Sequence, residues 1–231
     1  MEKQILEAHP SVVIAHCLEN GKLLMAVYDG TYPQVSYRFS ANNIGGNPSP
    51  QDKSPRNVLL REMGEEYDHN HGEKTKFGET VLWAPREDIK FIQDELTTNA
   101  TAYMDFLMKA KQFSNDPTTK TYTGIYSAFE SEISEIAMEV AESNIRRLRR
   151  LSPEGLTGVF TLEELTNDPV KRNLSTAHAT APILNSFFNA NIPYPPELTA
   201  EPIGEVRDSF RDYLCDFDYA DKIAKAIGIL K

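Results

Sequence analysis

Hydrophobic and polar residues along the chain form patterns that predict both strands and helices. The β-rich runs SVVIAHCLE and KLLMAVY flank Asn20-Gly21 and predict a hairpin over about residues 11–28. Asn-Gly is the pair that a two-residue type I′ turn favours. Three further runs have strand character and lie at 34–41, 80–84 and 120–129.

Apolar residues spaced three or four positions apart predict helices between these strands. Ser54-Pro55 has the features of a helix start, because serine caps the first turn and proline suits the first helical position. That helix should reach about Tyr67. Thr161 and Glu164 have capping-box spacing, so a strand and then a short helix should occupy 155–165. The other helical patterns lie at 86–113 (one long or two shorter helices), 130–151, 181–188 and 203–229 (two short helices).

The order of these elements decides the fold class. Strands and helices mix without the regular βαβα alternation of a parallel doubly wound sheet, so we expect an α/β (α+β) protein with a mixed sheet. The segments 86–113 and 130–151 are interpreted as helical insertions in one main domain, residues 1–195. Residues 196–231 are predicted to be a C-terminal helical extension packed on that domain. The length of 231 residues suits one sizeable core.

The net charge and the lengths of the apolar runs limit the classes of partner that we expect for this protein. The formal net charge of −10 makes the surface repel phosphate polymers, so we expect no nucleic-acid polymer as partner. A small phosphate-containing substrate can still bind through a metal ion. No window reaches the roughly 20 apolar residues of a membrane span, and the N-terminal stretch lacks a clean signal-peptide core. We therefore expect no membrane, a cytoplasmic location, and reduced thiols at Cys17 and Cys215.

The helix predicted after residue 54 ends in a concentration of acids. At about 100° per residue, Glu62, Glu65 and Glu66 share an arc about 100° wide. The side assigned to the core consists of Leu59, Leu60, Met63 and Tyr67. Arg61 lies four residues before Glu65, a spacing that allows an ion pair. A divalent cation would compensate the three acids, because Mg²⁺ and Mn²⁺ take oxygen ligands. The alternative is a solvated face, the commoner fate of glutamate clusters.

The string IGGNPSPQDKSPRNVLLREMGEEYD resembles the Nudix box. The box reads Gly, five residues, Glu, seven residues, then Arg-Glu-apolar-any-Glu-Glu-any-Gly. The residues that match its most informative half position for position are Arg61, Glu62, Met63, Glu65 and Glu66. Farther on, GLTGVFTLEEL and TAPILNSFF are similar to the late strand, turn and closing helix of many Nudix domains.

Three positions depart from the box pattern. The spacing from Gly46 to Arg61 is one residue too long. The place of the first box glutamate consequently falls on Asp52 or Lys53. Asp68 stands where the final glycine is usual. The first two departures change the loop before the helix, and the third alters the helix end.

The resemblance implies a Nudix-like mixed β-sheet sandwiched between helices. It also implies a hydrolase that cleaves a pyrophosphate linkage in a small nucleoside-diphosphate-type compound. In that picture Glu62, Glu65 and Glu66 hold Mg²⁺ or Mn²⁺, and the catalytic residues are Arg61, Glu62 and Glu65. Glu62 is then a further metal ligand or orients the attacking water, while Arg61 positions a glutamate.

The resemblance also assigns a role to the glycine pair and leaves alternatives open. Gly45 and Gly46 would let the backbone turn tightly beside the substrate. An extra acid from outside the box is common in the family, and the candidates are Glu130, Glu132 and Glu135. An inactive Nudix-fold module that binds a nucleotide or a protein partner is the alternative function. The long predicted helices leave a homodimer open.

Two further groups of residues are interpreted as solvent-facing. His69 and His71 lie in a polar loop without companion ligands, so metal binding there is the less common outcome. The basic residues at 146–150 suit a solvated helix end, where cations interact well with the helix dipole.

Overall fold

The computed structural model describes residues 3–32, 38–76, 78–111, 121–167 and 179–231. The strands are β1 (Gln4–Leu6), β2 (Ser11–Cys17), β3 (Lys22–Val27), β4 (Ala41–Asn42), β5 (Ile44–Gly46), β6 (Thr101–Lys111), β7 (Thr121–Glu132), β8 (Leu156–Thr161), β9 (Leu198–Gly204) and β10 (Phe217–Tyr219). The helices are α1 (Pro55–Glu66), α2 (Arg86–Asn99), α3 (Glu135–Arg146), α4 (Leu162–Asn167), α5 (Thr180–Phe188) and α6 (Asp221–Ala226), with a 3-10 turn at Phe210–Tyr213. In these ranges no helix has the length and apolar character needed to cross a membrane.

The main sheet is mixed, with β2 and β7 near its centre. The strand order is β4-β3-β2-β7-β6-β9, and β5 and β8 add to β2 and β3 respectively. β2 and β7 run parallel, whereas β2 with β3, β6 with β7 and β6 with β9 are antiparallel. A second, small sheet pairs β1 with β10 in parallel. The predicted mixed α+β class is confirmed.

Alternating residues of β2 face two different cores, because successive strand side chains point to opposite sides of the sheet. Val13, Ala15 and Cys17 pack with buried residues of α1, α2 and α3. Val12 and Ile14 pack with buried residues around α4 and α5. Helices therefore cover both faces of the sheet, as the sequence predicted.

Helix α1 begins and ends close to its predicted bounds. Ser54 Oγ accepts a hydrogen bond from the Asn57 backbone N–H at 3.2 Å, which caps the first turn. The side chains that enter the core are Leu59, Met63 and Tyr67. The prediction for Leu60 was wrong, because this residue is 37% exposed. Val58 is fully buried instead, since residues of the C-terminal segment pack over that side of the helix.

The helix predicted over 86–113 is correct in its first half and wrong in its second. α2 ends at Asn99 and the chain continues at once as β6. Phe106 and Leu107 had suggested helical spacing, but they lie on opposite faces of β6 and enter different cores. A strand buried on both faces has no polar alternation to mark its period of two.

The helix predicted over 130–151 is shorter, because β7 continues to Glu132 and α3 occupies only Glu135–Arg146. The segment 203–229 holds the 3-10 turn and α6, but it also contains strand residues of β9 and β10. The prediction that 196–231 is a purely helical extension is therefore wrong in its content. β9 pairs with β6 in the main sheet.

The two strands predicted at 34–41 and 80–84, before α2, are not seen as predicted in the described residues. Half of the strand predicted at 34–41, residues 34–37, lies outside the described part of the chain, and in the other half only Ala41 belongs to a strand. The run 80–84 is not a strand, although Trp83 forms an isolated parallel bridge with Arg150. That bridge holds the loop after α1 against the segment after α3.

Candidate active site

The two glycines of β5 permit two separate close approaches. Gly45 has a φ of +145°, and a Cβ there would lie 2.1 Å from the Ser11 carbonyl oxygen of β2. At Gly46 a Cβ would lie 2.4 to 2.6 Å from the carboxylate atoms of Glu62. Gly45 therefore allows β5 to pair with β2, whereas Gly46 leaves room for the first acid of α1.

Gly45→Ala should destabilise the fold strongly. We expect the free energy of unfolding to fall by about 3 kcal/mol or more, because the new methyl group meets backbone atoms and its φ is unfavourable for alanine. Urea denaturation followed by circular dichroism measures this change. The matched control is Gly72→Ala, since a Cβ at Gly72 meets nothing within 4 Å. Equal stability of the two variants would contradict the close approach of β5 to β2.

Arg61 bonds to three acids, Asp52, Glu62 and Glu65, and so forms the centre of the polar cluster on α1. Its Nη1 lies 2.7 Å from Glu62 Oε1 and donates to Glu65 Oε2 at 3.2 Å. Its Nε and Nη2 donate to Asp52 Oδ2 at 3.2 and 3.1 Å, and Nη2 also donates to the Asn47 carbonyl oxygen at 2.7 Å. Burial alone would lower the pKa of the guanidinium, but hydrogen bonds and charges from Asp52 and Glu62 raise it. Arg61 therefore stays cationic and fixes the rotamers of its acids.

The two candidates for the first box acid position, Asp52 and Lys53, have different surroundings. Asp52 faces Arg61 with a side chain that is 3% exposed. Its Oδ2 also accepts hydrogen bonds from the Ser49 backbone N–H at 2.8 Å and from Ser49 Oγ at 3.1 Å. Lys53 turns away and donates from Nζ to the Pro50 carbonyl oxygen. Asp52 thus anchors the loop before α1 to Arg61.

The acids of α1 occupy different environments. Ser152 Oγ donates to Glu66 Oε2 at 2.8 Å. Burial raises the pKa of Glu66 to about 7, and the charges of Glu154 and Glu62 add to this rise. Burial also raises the pKa of Glu62, although Arg61 opposes it. The Glu65 side chain is 48% exposed. Glu62 and Glu66 therefore form the inner part of the site, and Glu65 its rim.

The sequence did not reveal Lys76, Ser152 or Glu154, which the fold brings to these acids. Lys76 Nζ lies 2.6 Å from Glu154 Oε1. The charge of Glu154 contributes to the raised pKa of both Glu62 and Glu66. Nothing in the string SPEG at 152–155 distinguishes it from an ordinary loop, so no sequence signal could have found Glu154.

The predicted outside acids lie elsewhere. Glu130 bonds to His16 Nε2 at 3.4 Å and accepts from Thr101 Oγ1 at 3.3 Å. Glu130 and Glu132 line a separate cleft at the end of β7, and Glu135 lines another beside α3. Among the acids outside the box, the structure places Glu154 beside the site rather than these candidates.

The acids of α1 offer carboxylate oxygens and negative charge, which are the features that a divalent cation needs. Burial and the charges of Glu154 and Glu62 raise the pKa of the half-buried Glu66, and Mg²⁺ or Mn²⁺ binds carboxylate oxygens and would offset that negative charge. Within the described residues, however, no three His, Cys, Asp or Glu side chains are close enough to hold a metal ion. Arg61 Nη1 lies between Glu62 and Glu65 and bonds to both. Arg61 Nη1 therefore takes up one oxygen of each acid and leaves the second carboxylate oxygen of each for a metal ion.

Two residues interpreted as solvent-facing are not: His71 is buried and Arg150 is largely covered. His71 is 9% exposed and stacks on Trp83 with ring centroids 3.7 Å apart. Arg150 donates from Nη2 to Asp29 Oδ2 at 2.8 Å. The earlier part of the basic run, Arg146 and Arg147, is exposed as predicted. The difference arises because the loop after α1 folds back and pairs with Arg150.

The chain was compared with known proteins by sequence and by structure. No family model and no curated protein matches its sequence. Similar solved structures include the MutT protein from Methanosarcina mazei Go1, with 14% identity, a TM-score of 0.42 and coverage of 82% of this chain and 96% of that one. A Nudix hydrolase from Nitrosomonas europaea has 13% identity and a TM-score of 0.36, with coverage of 82% of this chain and 93% of that one. A MutT/Nudix family protein from Enterococcus faecalis has 17% identity and a TM-score of 0.29, with coverage of 58% of this chain and 39% of that one.

The structures from Enterococcus faecalis and Nitrosomonas europaea carry the name of the family whose box the residues 45–68 resemble. The TM-scores of all three solved structures lie below 0.5. The function proposed below therefore rests on the box residues and on the geometry around α1.

Proposed function

We propose that the protein is a divalent-metal-dependent hydrolase that cleaves a pyrophosphate linkage in a small nucleoside-diphosphate-type compound. The observation that carries this proposal is the position of two partly buried acids, Glu62 and Glu66, on the helix that bears the box residues, where burial raises the pKa of each. Two acids held together at the expense of their own ionisation are typical of a functional site. An ordinary solvated face would not raise either pKa through burial.

Each residue of the cluster has a distinct part in this proposal. Glu62, Glu65 and Glu66 would hold Mg²⁺ or Mn²⁺, which supplies neutralisation of the charge that develops on the phosphoryl oxygens. Arg61 orients Glu62 and Glu65 through its Nη1. Glu62 also has oxygen atoms available to orient the attacking water. Glu154 adds negative charge beside Glu66, and its bond to Lys76 fixes its position.

A second candidate is a module that binds a nucleotide or a protein partner without hydrolysis. The bonds of Arg61 to both Glu62 and Glu65 favour it, because a guanidinium already lies between these two acids and takes up one oxygen of each. Asp52 in place of the first box glutamate points the same way. For both candidate functions we propose a small phosphate-containing ligand. We also propose a cytoplasmic location, which agrees with the free thiols of Cys17 and Cys215.

A substrate panel with Mg²⁺ or Mn²⁺ separates the two functions. We expect the purified chain to release phosphate-containing products from at least one nucleotide sugar, dinucleotide or nucleoside triphosphate, and chelation with EDTA should stop turnover. Product analysis by chromatography measures the first outcome. Thermal stabilisation by a panel member without product formation would favour the binding module, since a ligand of the native state raises apparent stability. No turnover of any compound would refute the hydrolase.

A further inference from the structure

A buried polar cluster lies on β6 and β7, away from the acids of α1. Asp105 is 1% exposed and accepts hydrogen bonds from Ser127 Oγ and from the Tyr213 hydroxyl, both at 2.6 Å. His9 is fully buried, with Nε2 at 3.1 Å from Ser127 Oγ and Nδ1 at 3.3 Å from the Tyr219 hydroxyl. These five side chains form one continuous chain of hydrogen bonds.

Two members of the cluster, Tyr213 and Tyr219, belong to the C-terminal strap, which we define as residues 206–227. The strap begins beside Arg207, whose backbone N–H donates to the Tyr213 hydroxyl at 3.0 Å. The Arg207 guanidinium lies 4.6 Å from the centroid of the Tyr213 ring. Farther along, β10 pairs in parallel with β1. The buried cluster and this short pairing attach the strap to the rest of the fold.

The other side of the strap supports the N-terminal half of α1. The Phe210 backbone N–H donates to the Lys53 carbonyl oxygen at 3.2 Å. The side chains that pack with the fully buried Val58 are Ala8, Phe210, Ile223 and Ile227. Val58 lies about one helical turn before the first acid of the site, and Lys53 follows Asp52, the anchor of Arg61. Displacement of the strap would therefore remove support from the segment that carries the acids.

We propose that the strap is a latch that opens as a unit, that the buried hydrogen bonds of Asp105 hold it closed, and that its closure positions α1. The consequence for hydrolysis rests on the proposed function, whereas the latch itself does not. The buried side chains of the strap are Phe210, Tyr213, Ile223, Ala224 and Ile227, and its regular elements are only three to six residues long, so we expect it to open at a lower free energy than the central sheet.

The closed latch has a complete set of hydrogen bonds in either protonation state of Asp105. With Asp105 ionised, Ser127 and Tyr213 donate to it, and His9 donates from Nε2 to Ser127. With Asp105 protonated, its hydroxyl donates to Ser127, which donates to His9 Nε2, while the imidazole proton moves to Nδ1 and faces Tyr219. Both arrangements need a neutral His9. Its pKa is lowered to about 3, mainly by burial and to a smaller extent by the charge of Arg207.

The direction of the pH dependence follows from burial of Asp105. Burial raises its pKa to about 6, although hydrogen bonds from Ser127 and Tyr213 and the charge of Arg207 oppose this rise. In the open latch the carboxyl is solvated and should return to about 4. The closed state therefore binds the proton more tightly, and opening should become rarer as the pH falls from about 7 towards 4. The ionisable groups that face Asp105 or its partners are His9, Arg207, Tyr213, Tyr219 and Asp216.

Hydrogen exchange with mass spectrometry on the full chain tests the latch. We compare opening constants, corrected for intrinsic exchange, at about pH 5 and about pH 7.5. Peptides from residues 206–219 and from the first half of α1 should open together. Their opening constant should be about 10-fold smaller at the lower pH, while peptides from α3 should show no such change. Exchange of the strap only together with α3, or without dependence on pH, would overturn the proposal.

Two variants assign the effect to the buried cluster. Asp105→Asn should abolish the pH dependence, because the amide does not titrate. Tyr213→Phe should increase opening about 10-fold at pH 7.5, since Asp105 loses a donor. Tyr194→Phe is the matched control, because Tyr194 is 43% exposed and outside the strap. If Asp105→Asn does not fold, unchanged opening in Tyr213→Phe still refutes the latch. None of these readouts involves turnover, so failure of the latch and failure of the hydrolase are distinct results.

Discussion

Glu66→Gln should abolish turnover and at the same time stabilise the metal-free protein above neutral pH. Burial raises the pKa of Glu66 from its ordinary value to about 7, so the folded state binds this proton more tightly than the unfolded state. The stability of the parent protein therefore falls as the pH rises from about 4.5 through 7. Glutamine removes that loss, and we expect a gain of about 1–3 kcal/mol at pH 8. Turnover should drop about 10³-fold or more, because the proposed metal loses its most buried ligand.

Chemical denaturation without metal at about pH 5 and pH 8, together with turnover under Mg²⁺, measures both effects. The gain in stability should be small at pH 5, where Glu66 is already protonated in the fold. Glu139→Gln on α3 is the matched control, because Glu139 is exposed and remote from the cluster. If the Glu66→Gln variant remains active, Glu66 is not the metal ligand proposed here. A variant that is less stable at both pH values would show that Glu66 supports the fold through other contacts.

Gly46→Ala should reduce kcat about 100-fold while leaving the fold in place. The new methyl group would lie within 2.6 Å of all three carboxylate atoms of Glu62, so that side chain must move. The clash involves the far end of a flexible side chain rather than backbone, so we expect stability to change by no more than about 1 kcal/mol. Loss of rate without loss of fold reflects the precision with which Glu62 is held.

Steady-state kinetics and urea denaturation on the same preparations test this expectation. Gly72→Ala again serves as control, because it adds the same methyl group to open space. A Gly46→Ala variant with unchanged kcat would mean that Glu62 has no part in the reaction. Severe unfolding of Gly46→Ala would instead indicate that β5 requires glycine at this position for backbone reasons.

Local sequence signals predicted α1 and its surroundings well. Ser54 and Pro55 fix the start of the helix through a cap and a preset φ, and both effects act within a few residues. The alternation of β2 between two cores likewise depends on the strand period alone. Residues 101–111 were interpreted as helical because β6 is buried on both faces, so its hydrophobic pattern lacks the period of a half-exposed strand.

The parts of the site that were missed depend on contacts between distant segments. Glu154 and Ser152 reach Glu66 only because the loop after α3 returns to α1, and no local pattern encodes that return. The choice between Asp52 and Lys53 likewise required the position of Arg61 in space. The position of Arg150 has the same origin, since its partner Asp29 is remote in sequence, whereas His71 stacks on Trp83 of its own loop.

The packing of Ile223 and Ile227 on Val58 has a consequence for the order of events on the ribosome. About 165 further residues must be synthesised after Val58 before the first of these isoleucines exists. At roughly 5–20 residues per second, this interval is on the order of ten to thirty seconds. Throughout it, Val58 lacks these packing partners on the nascent chain, so the first half of the acidic helix gains its full support only at the end of synthesis.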